Sequence, residues 1–407
     1  MILRDYQQSD ADRGSEILRK HKLLYVMAEV RTGKTATALT IGCDFENVLF
    51  VTKLKAIGSI VSDFKKLGYT YNLTTINYES LHKLERTDYD LIIIDEAHRL
   101  GGYPKKPKAL VEIKKLKCNH HVFLSGTPCP ESWSQIFHQL HVSKHNPFKE
   151  YASFYKWAKD YVDVQKKRIA HGLEINDYSS ARIDLIKRKI NHIIITRTQV
   201  ETGFKSVIED KILTIPMKPI TYTIAKALLK DNIVQGKSGV ILADTAVKLQ
   251  QKLHQVYSGT VKLEDGSSVI LDTSKAEYIK ERFKGQTIAV FYKYKEEYNL
   301  IKQVFNDEIT NDISESKDRN INICGQIQSI REGVNLSHCN SIVFLNIDFS
   351  NVSYKQARDR MNGLNRLKND VYFVFAERGI EKKIYRTVTV DKKKYDISAF
   401  KKDYETN

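Results

Sequence analysis

The sequence predicts an α/β protein built as two parallel-sheet lobes in tandem, with helical insertions. Three observations predict it. The first half carries the short continuous apolar runs "KLLYVMA", "NVLFVT", "DLIIIDE" and "HHVFLSG", the pattern of strands buried on both faces of a parallel sheet. The same pattern returns in the second half as "TIAVFYK", "INICGQ", "SIVFLNID" and "VYFVFAE". The chain has 407 residues, 42% of them apolar, enough for two domains with cores of their own.

Taken in order, helix-like stretches at 34–42 and 55–67 separate the first strands, a βαβ rhythm. From about 130 to 192 the character changes. "ESWSQIFHQLHV", "FKEYASFYKWAKDYVD" and "SSARIDLIKRKI" place aromatic and aliphatic residues at helical spacing among lysines, which predicts a helical insertion whose aromatics are core. "HIIITRT" returns to strand. The predicted lobes are therefore 1–205 and 206–407. In the second, "ITYTIAKALLKDN" and "AVKLQQKLHQVYSG" read as helices and "EDGSSVILD" as a hairpin turning at Asp265-Gly266. The basic tail reads as helical or frayed.

Charge points to a partner. The formal net charge is +16, which suits a polyanion, most simply nucleic acid; a lysine-rich surface bias of an AT-rich genome accounts for it as well. The basic run "QKKRIAHG" at 165–172 reads as a solvated face or as a phosphate grip. The five cysteines form no CxxC pair and no metal spacing, as expected of reduced thiols in a cytosolic protein. The N-terminus lacks the apolar core of a signal peptide, and no window approaches 18 uninterrupted apolar residues, so no membrane partner is expected.

"AEVRTGKT", residues 28–35, follows the strand "LLYVM" and precedes the helix "TATALTIG". It fits the phosphate-loop pattern of a small residue, four free positions and Gly-Lys-Thr. The N–H groups of Val30, Arg31, Thr32, Gly33, Lys34 and Thr35 can wrap phosphates at a helix N-terminus. Lys34 would neutralise β/γ-phosphate charge of ATP, and Thr35 would ligate Mg²⁺. The stretch "LIIIDEAHRL" then sets two carboxylates at the end of a buried strand. Asp95 would hold Mg²⁺, and Glu96 would act as base on the attacking water. An Asp-Glu pair also caps helices; the upstream phosphate loop favours the catalytic reading.

With "GKT" upstream, "DEAH" after a strand and "LSGTP" downstream, the chain resembles DEAD/DEAH-type superfamily 2 helicases and translocases. More narrowly it resembles their chromatin-remodeller-like (switch/sucrose-non-fermenting) ATPase branch, in its small phage and bacterial form. The likeness runs along nearly the whole chain. "LRDYQ" is similar to the adenine-contacting motif, which implies Gln7 on the adenine. "LFVTKLKAIGSIVSDF" implies DNA-backbone contacts from Thr52 and Lys53, and "TINYESL" resembles the branch's "SYE" segment, adding Asn77. "LSGTPCPESWSQIFHQLHVSKHNPF" resembles the coupling motif, so Ser125 and Thr127, with His98, would link nucleotide state to the DNA track. In the second lobe "IREGVNLSHCNSIVFLNIDFS" implies Gly333 and Asn335 near the nucleotide, and "YKQARDRMNGLNR" resembles the final arginine motif, with Gln356 and Arg360 matching.

The resemblance implies two RecA-like lobes, ATP and Mg²⁺ as cofactors, DNA rather than RNA as partner, and a monomer in a bacterial or phage-infected cytoplasm. It implies work in DNA replication, recombination or repair, with replication or recombination proteins as candidate partners. Two further functions stay open: an RNA helicase of superfamily 2, and a nucleic-acid-binding protein with a weakened ATPase site. Support for the last is position 363, glycine where the branch places its second arginine. An arginine there is worth about 10³ to 10⁵ in rate. Arg366 lies three residues on, about 4.5 Å along a helix, and can reach back; Arg358 and Arg331 are lesser candidates. If Arg366 substitutes, Arg366→Ala is expected to lower steady-state ATP turnover by about 10³-fold with nucleotide binding retained. Turnover at the normal rate would rule the substitution out.

Overall fold

The computed structural model describes residues 2–168, 174–203, 207–330, 334, 336–361, 368–391 and 394–404. The chain divides into two compact units, Met1–Gly203 and Phe204–Asn407.

In the first unit, helix α1 (Asp5–His21) leads into β1 (Leu23–Ala28), followed by α2 (Lys34–Ile41), β2 (Asn47–Thr52), α3 (Ile57–Leu67), β3 (Asn72–Asn77), β4 (Leu91–Asp95), α4 (Lys108–Ile113) and β5 (His120–Ser125). After a two-stranded hairpin, β6 (Gln165–Arg168) and β7 (Glu174–Asp177), the strand β8 (Ile194–Arg197) closes a six-stranded sheet of order β3-β2-β4-β5-β1-β8. Every pairing in that sheet is parallel.

The apolar runs are continuous because both faces are covered. Successive side chains of a strand point to opposite faces. Leu23, Tyr25, Leu49, Val51, Ile92, Ile94 and Phe123 join one core cluster; Leu24, Val26, Val48, Phe50, Leu91, Ile93, Val122 and Leu124 join another. Close approach is needed on the second face: a Cβ at Gly14 of α1 would come within 2.7 Å of Ile41 and 3.0 Å of Leu24.

The insertion departs from expectation. Its helices Ile136–Leu140, Phe154–Tyr161 and Ile183–Ile190 are present, and Trp157 is fully buried, as core aromatics should be. The run at 165–168, however, is strand β6, paired antiparallel with β7. Helical spacing in the flanks does not extend through it. Instead the lysine-rich strand faces an acidic partner, with Lys166 lying 3.5 Å from Glu174.

The second unit repeats the architecture. Strand β9 (Val207–Ile215) opens it, and two hairpins follow, β10 (Ile233–Gly236) with β11 (Gly239–Leu242) and β12 (Thr260–Lys262) with β13 (Ser268–Ile270). The second hairpin turns at Asp265-Gly266, where Gly266 has φ +88° and Asp265 accepts hydrogen bonds from Ser267. Strands β14 (Ile288–Tyr292), β15 (Ile309–Thr310), β16 (Asn322–Gln326), β17 (Ser341–Phe344) and β18 (Lys368–Ala376) complete a parallel sheet of order β15-β16-β14-β17-β18-β9. Sequence patterning missed β9. It is an edge strand whose charges are met across the ladder: Lys211 pairs with Asp370 at 3.0 Å, and Glu209 with Lys368 at 3.0 Å.

One ion pair sits wholly inside this unit. Lys275 lies 2.5 Å from Glu381, both side chains with no exposed surface, and it also donates to the Leu345 carbonyl. A buried charge stripped of its partner is costly, while a packed apolar pair in its place can be neutral. Glu381→Ala is expected to destabilise the protein by about 3–5 kcal/mol in denaturant titration. Lys275→Met with Glu381→Leu should recover most of that loss. Equal losses in both variants would show that packing, not charge, dominates the position.

Candidate nucleotide site

In a parallel sheet all strands end on the same edge, and α/β sheets bind ligands there. The order of this sheet makes β4, β5 and β1 consecutive neighbours. Asp95 at the end of β4 therefore pairs with Leu124, and the next residue, Ser125, pairs with Met27 of β1. The paired carboxylates and the phosphate loop flank one serine.

The loop turns tightly into α2. Gly33 sits at φ +82° and Arg31 at φ +63°. A Cβ on Gly33 would fall 1.9 Å from Nε2 of Gln7, so glycine is required there for conformation and for space. Gln7 is buried; its Oε1 accepts from the Arg4 N–H at 2.9 Å, and its Nε2 lies 3.5 Å from the Gly33 carbonyl. Thr32 donates to the Glu29 carbonyl, and Lys34 donates to the carbonyls of Ala28 and Glu29, each at 2.8 Å. Gln199 secures the loop from the strand beyond, with its Nε2 donating to the Val30 carbonyl and its N–H to Glu29. Val30 and Thr35 lie in this loop and at the first turn of α2.

Asp95 is held on three sides. Thr52 donates its hydroxyl to Oδ2 at 2.9 Å, the Glu96 N–H donates to Oδ1 at 3.0 Å, and the Tyr78 hydroxyl donates to the Asp95 carbonyl at 2.5 Å. Glu96 sits at φ +51°, a left-handed conformation strained for a non-glycine residue. The turn is over-determined: Tyr78 is packed under the Arg99 guanidinium, 4.5 Å from its ring, and Arg99 pairs with Glu79 at 2.6 Å. His98 Nδ1 lies 3.2 Å from Glu96 Oε2 and 3.2 Å from Ser125 Oγ, and Ser125 Oγ accepts from the Thr127 N–H at 3.1 Å. The contact to Glu96 is a charge-separation distance rather than an aligned hydrogen bond, so among the described residues Glu96 Oε2 is buried without a hydrogen-bond partner, as is Thr127 Oγ1.

The two carboxyls are driven apart electrostatically. Burial, then the charge of Glu96, raises Asp95 to about 6. Burial opposes ionisation of Glu96 too, but the His98 contact, with Lys53 and Lys34 behind it, overrides burial and holds Glu96 well below its ordinary value. Glu96 is thus the more readily ionised member and holds its charge to lower pH than Asp95; a base must be unprotonated to act.

Thr52 needs correction. It is buried, and its hydroxyl is spent on Asp95, so it positions the carboxylate and does not offer that hydroxyl to DNA. Lys53 follows it at the strand end, and Asn77, in register with Thr52, donates to Glu79 at 3.2 Å. Sequence reading passed over Tyr78 and Gln199 as individuals; Tyr78 lies in "TINYESL" and Gln199 directly follows "HIIITRT", and a tyrosine or glutamine at a strand end was the available signal.

In the second unit Gln356 is buried on the helix Asn351–Arg358, its Oε1 without a hydrogen-bond partner among the described residues. Arg360 follows, its Nε donating to the Gln356 carbonyl at 2.9 Å, and its own carbonyl accepts from Leu336 N–H at 3.1 Å. That bond ties the end of the "GVNL" segment to the arginine motif. Arg358 is committed elsewhere, donating to Tyr354 Oη at 2.6 Å and the Ile208 carbonyl at 3.2 Å and lying 3.5 Å from Asp210; it is a structural residue, not an arginine-finger candidate. Gly333, Asn335, Arg331, Gly363 and Arg366 lie outside the described residues.

A strand–phosphate loop–helix beside a strand that ends in paired carboxylates defines a P-loop ATP hydrolase of the helicase type. A family profile described as the SNF2-related domain matches residues 19–257, and the chain belongs to that family. Among curated relatives, chromodomain-helicase-DNA-binding protein 8 of Xenopus tropicalis is 30% identical over 27% of this chain and 5% of its own length. The CHD3-type chromatin-remodeling factor PICKLE of Arabidopsis thaliana is 26% identical over 26% of this chain and 8% of its own. The matched segments thus span a small fraction of these relatives. Among solved structures, the SWI2/SNF2 ATPase core of Sulfolobus solfataricus in complex with dsDNA aligns over 100% of this chain and 95% of its own, at 16% identity and a TM-score of 0.44.

The raised Asp95 sets a stability prediction. A carboxyl whose folded pKa is raised favours the fold most when pH is below its unfolded value, about 3.9, and that contribution is lost as pH rises through about 6. Asp95→Asn removes the buried charge. It is expected to abolish ATP hydrolysis, to raise Tm at pH 7.5 by about 2–6 °C, and to flatten the ligand-free stability profile between these two pH values. A lower Tm at pH 7.5 would mean that the carboxylate stabilises the fold.

Proposed function

We propose that the chain is an ATP-driven motor that moves along, or separates the strands of, duplex or branched DNA. The observation that carries the reading is the row Thr52–Asp95–Ser125–phosphate loop on one sheet edge, with Glu96 held ionised beside it by His98. Family membership supports a DNA substrate, as do the net charge of +16 and the relatives named for helicase and DNA-binding activity.

The residues fit Mg²⁺-ATP. Thr35 and Asp95 offer hard oxygen donors, the set that Mg²⁺ selects, and Glu96 Oε2 and Thr127 Oγ1 are buried polar atoms awaiting partners. Bound there, Mg²⁺ would supply charge neutralisation of the β- and γ-phosphates. Lys34 would exchange the Ala28 and Glu29 carbonyls for phosphate oxygens, at the N-terminus of α2. Glu96 would take a proton from the attacking water, and burial of the site strengthens that interaction. His98, bridging Glu96 and Ser125, would pass the loss of the γ-phosphate to the Ser125–Thr127 turn, and so to the DNA track. Gln356 and Arg360 would serve the same cycle from the second unit. The motor would act as a monomer in DNA replication, recombination or repair, in a bacterial or phage-infected cytoplasm.

The test is steady-state ATP hydrolysis without nucleic acid and with single-stranded DNA, duplex DNA, a fork and RNA. Stimulation of about 10-fold or more by duplex or forked DNA, abolished in Lys34→Ala, is expected; log affinity for DNA should fall linearly with log salt. Preferential stimulation by RNA would reassign the substrate. Nucleotide binding without turnover on any substrate would leave a nucleic-acid-binding protein with a weakened site.

A further inference from the structure

A second basic site lies in the first unit at the other end of the sheet. A cavity of about 490 Å³ opens between the start of β5, the residues after α4 and the segment 140–152, and its lining contains no carboxylate. Lys114, Lys144 and Lys149 line it, with His121 and the apolar walls of Leu116 and Tyr151. The nearest acid in sequence, Glu150, is paired with Lys189 at 3.2 Å, and Glu112 with Lys115 at 2.8 Å. His121 is buried, and its Nδ1 has no hydrogen-bond partner among the described residues. Burial and the charge of Lys106 push the Lys114 ammonium below its ordinary value. His121 and Ser125 stand four residues apart on β5, so the cavity lies about 13 Å along the strand from the nucleotide edge.

We propose that this cavity is a phosphate-ester site, separate from the phosphate loop, in which Lys114, Lys144 and Lys149 hold the anion. Three exposed lysines lining one cavity whose lining holds no carboxylate favour a multiply charged oxyanion. The volume and the Leu116 and Tyr151 walls leave room for an apolar or aromatic portion beside it. Free nucleotide phosphate and a nucleic-acid backbone share that chemistry. The proposal does not depend on the motor reading.

The experiment compares the full chain with Lys114→Gln/Lys144→Gln/Lys149→Gln, and with a control that loses the same charge elsewhere, Lys226→Gln/Lys230→Gln/Lys237→Gln. Both are made in a Lys34→Ala background, which disables the phosphate loop. Pyrophosphate binding is read by calorimetry, and binding of a 12-nucleotide single strand by anisotropy across salt. The site is expected to bind pyrophosphate in Lys34→Ala and in the control, with affinity at least 10-fold weaker in the cavity variant. If a nucleic-acid strand is the occupant, the salt slope falls by about 2 in the cavity variant alone, roughly 0.7 per lost contact; an unchanged slope with lost pyrophosphate binding assigns a free phosphate ester. Equal effects in the cavity variant and the control, or none in either, overturn the proposal. DNA-stimulated hydrolysis in the Lys34-intact protein reports on the motor separately: its absence with pyrophosphate binding retained would sink that reading alone.

Discussion

Two carboxylates on adjacent residues, delivered to water's edge by a strand buried on both faces, are the constraint around which the first unit is arranged. Burying one carboxylate is costly, and burying two is costlier. The fold compensates with specific partners: the Thr52 hydroxyl and a backbone N–H for Asp95, and His98, Lys53 and Lys34 for Glu96. Tyr78 and Arg99 clamp the strained backbone between them. These residues stand at the ends of β2 and β3, in the turn after β4 and at the start of α2. The arrangement therefore requires the sheet order that puts β2, β4, β5 and β1 side by side.

The same arithmetic separates the chemical roles. Two identical environments would leave two carboxyls sharing one proton. Here burial penalises Asp95 with little cationic compensation nearby, while His98 and two lysines compensate Glu96. The member that is costly to ionise is the one suited to a divalent cation, which would remove the cost on binding. The member that ionises readily is the one left free to act on water. The serine between the two strands connects the base to the turn that follows β5. The Glu96–His98 contact and the hydrogen bonds through Ser125 thus join the acidic turn to a segment on the sheet edge.

Much of this was legible in the residues. A strand buried on both faces must be a continuous apolar run, and the runs of β1, β2, β4 and β5 are the first unit's core strands. The phosphate loop is read from local spacing because its geometry is local: a strand end, a tight turn and a helix start. Less legible were elements stabilised by what they pair with. Strand β9 sets three consecutive charged residues, Glu209, Asp210 and Lys211, between apolar pairs and is held by charges more than 150 residues away on β18. The hairpin β6–β7 interrupts helices that share its lysine-rich composition. Thr52 looked like a surface contact because its partner is distant in sequence; only the sheet brings its hydroxyl to Asp95.

By itself the sequence determined the fold class, the two-lobe organisation, and which residue types could meet phosphate and metal, because those properties follow from periodicity and short-range spacing. The tertiary structure decided which carboxylate ionises more readily, which hydroxyl positions Asp95, that Arg358 is consumed by Asp210 and Tyr354, and that three lysines line a cavity without a carboxylate. Those properties depend on dielectric surroundings and on contacts between residues remote in the chain, and only the packed strands and helices create either.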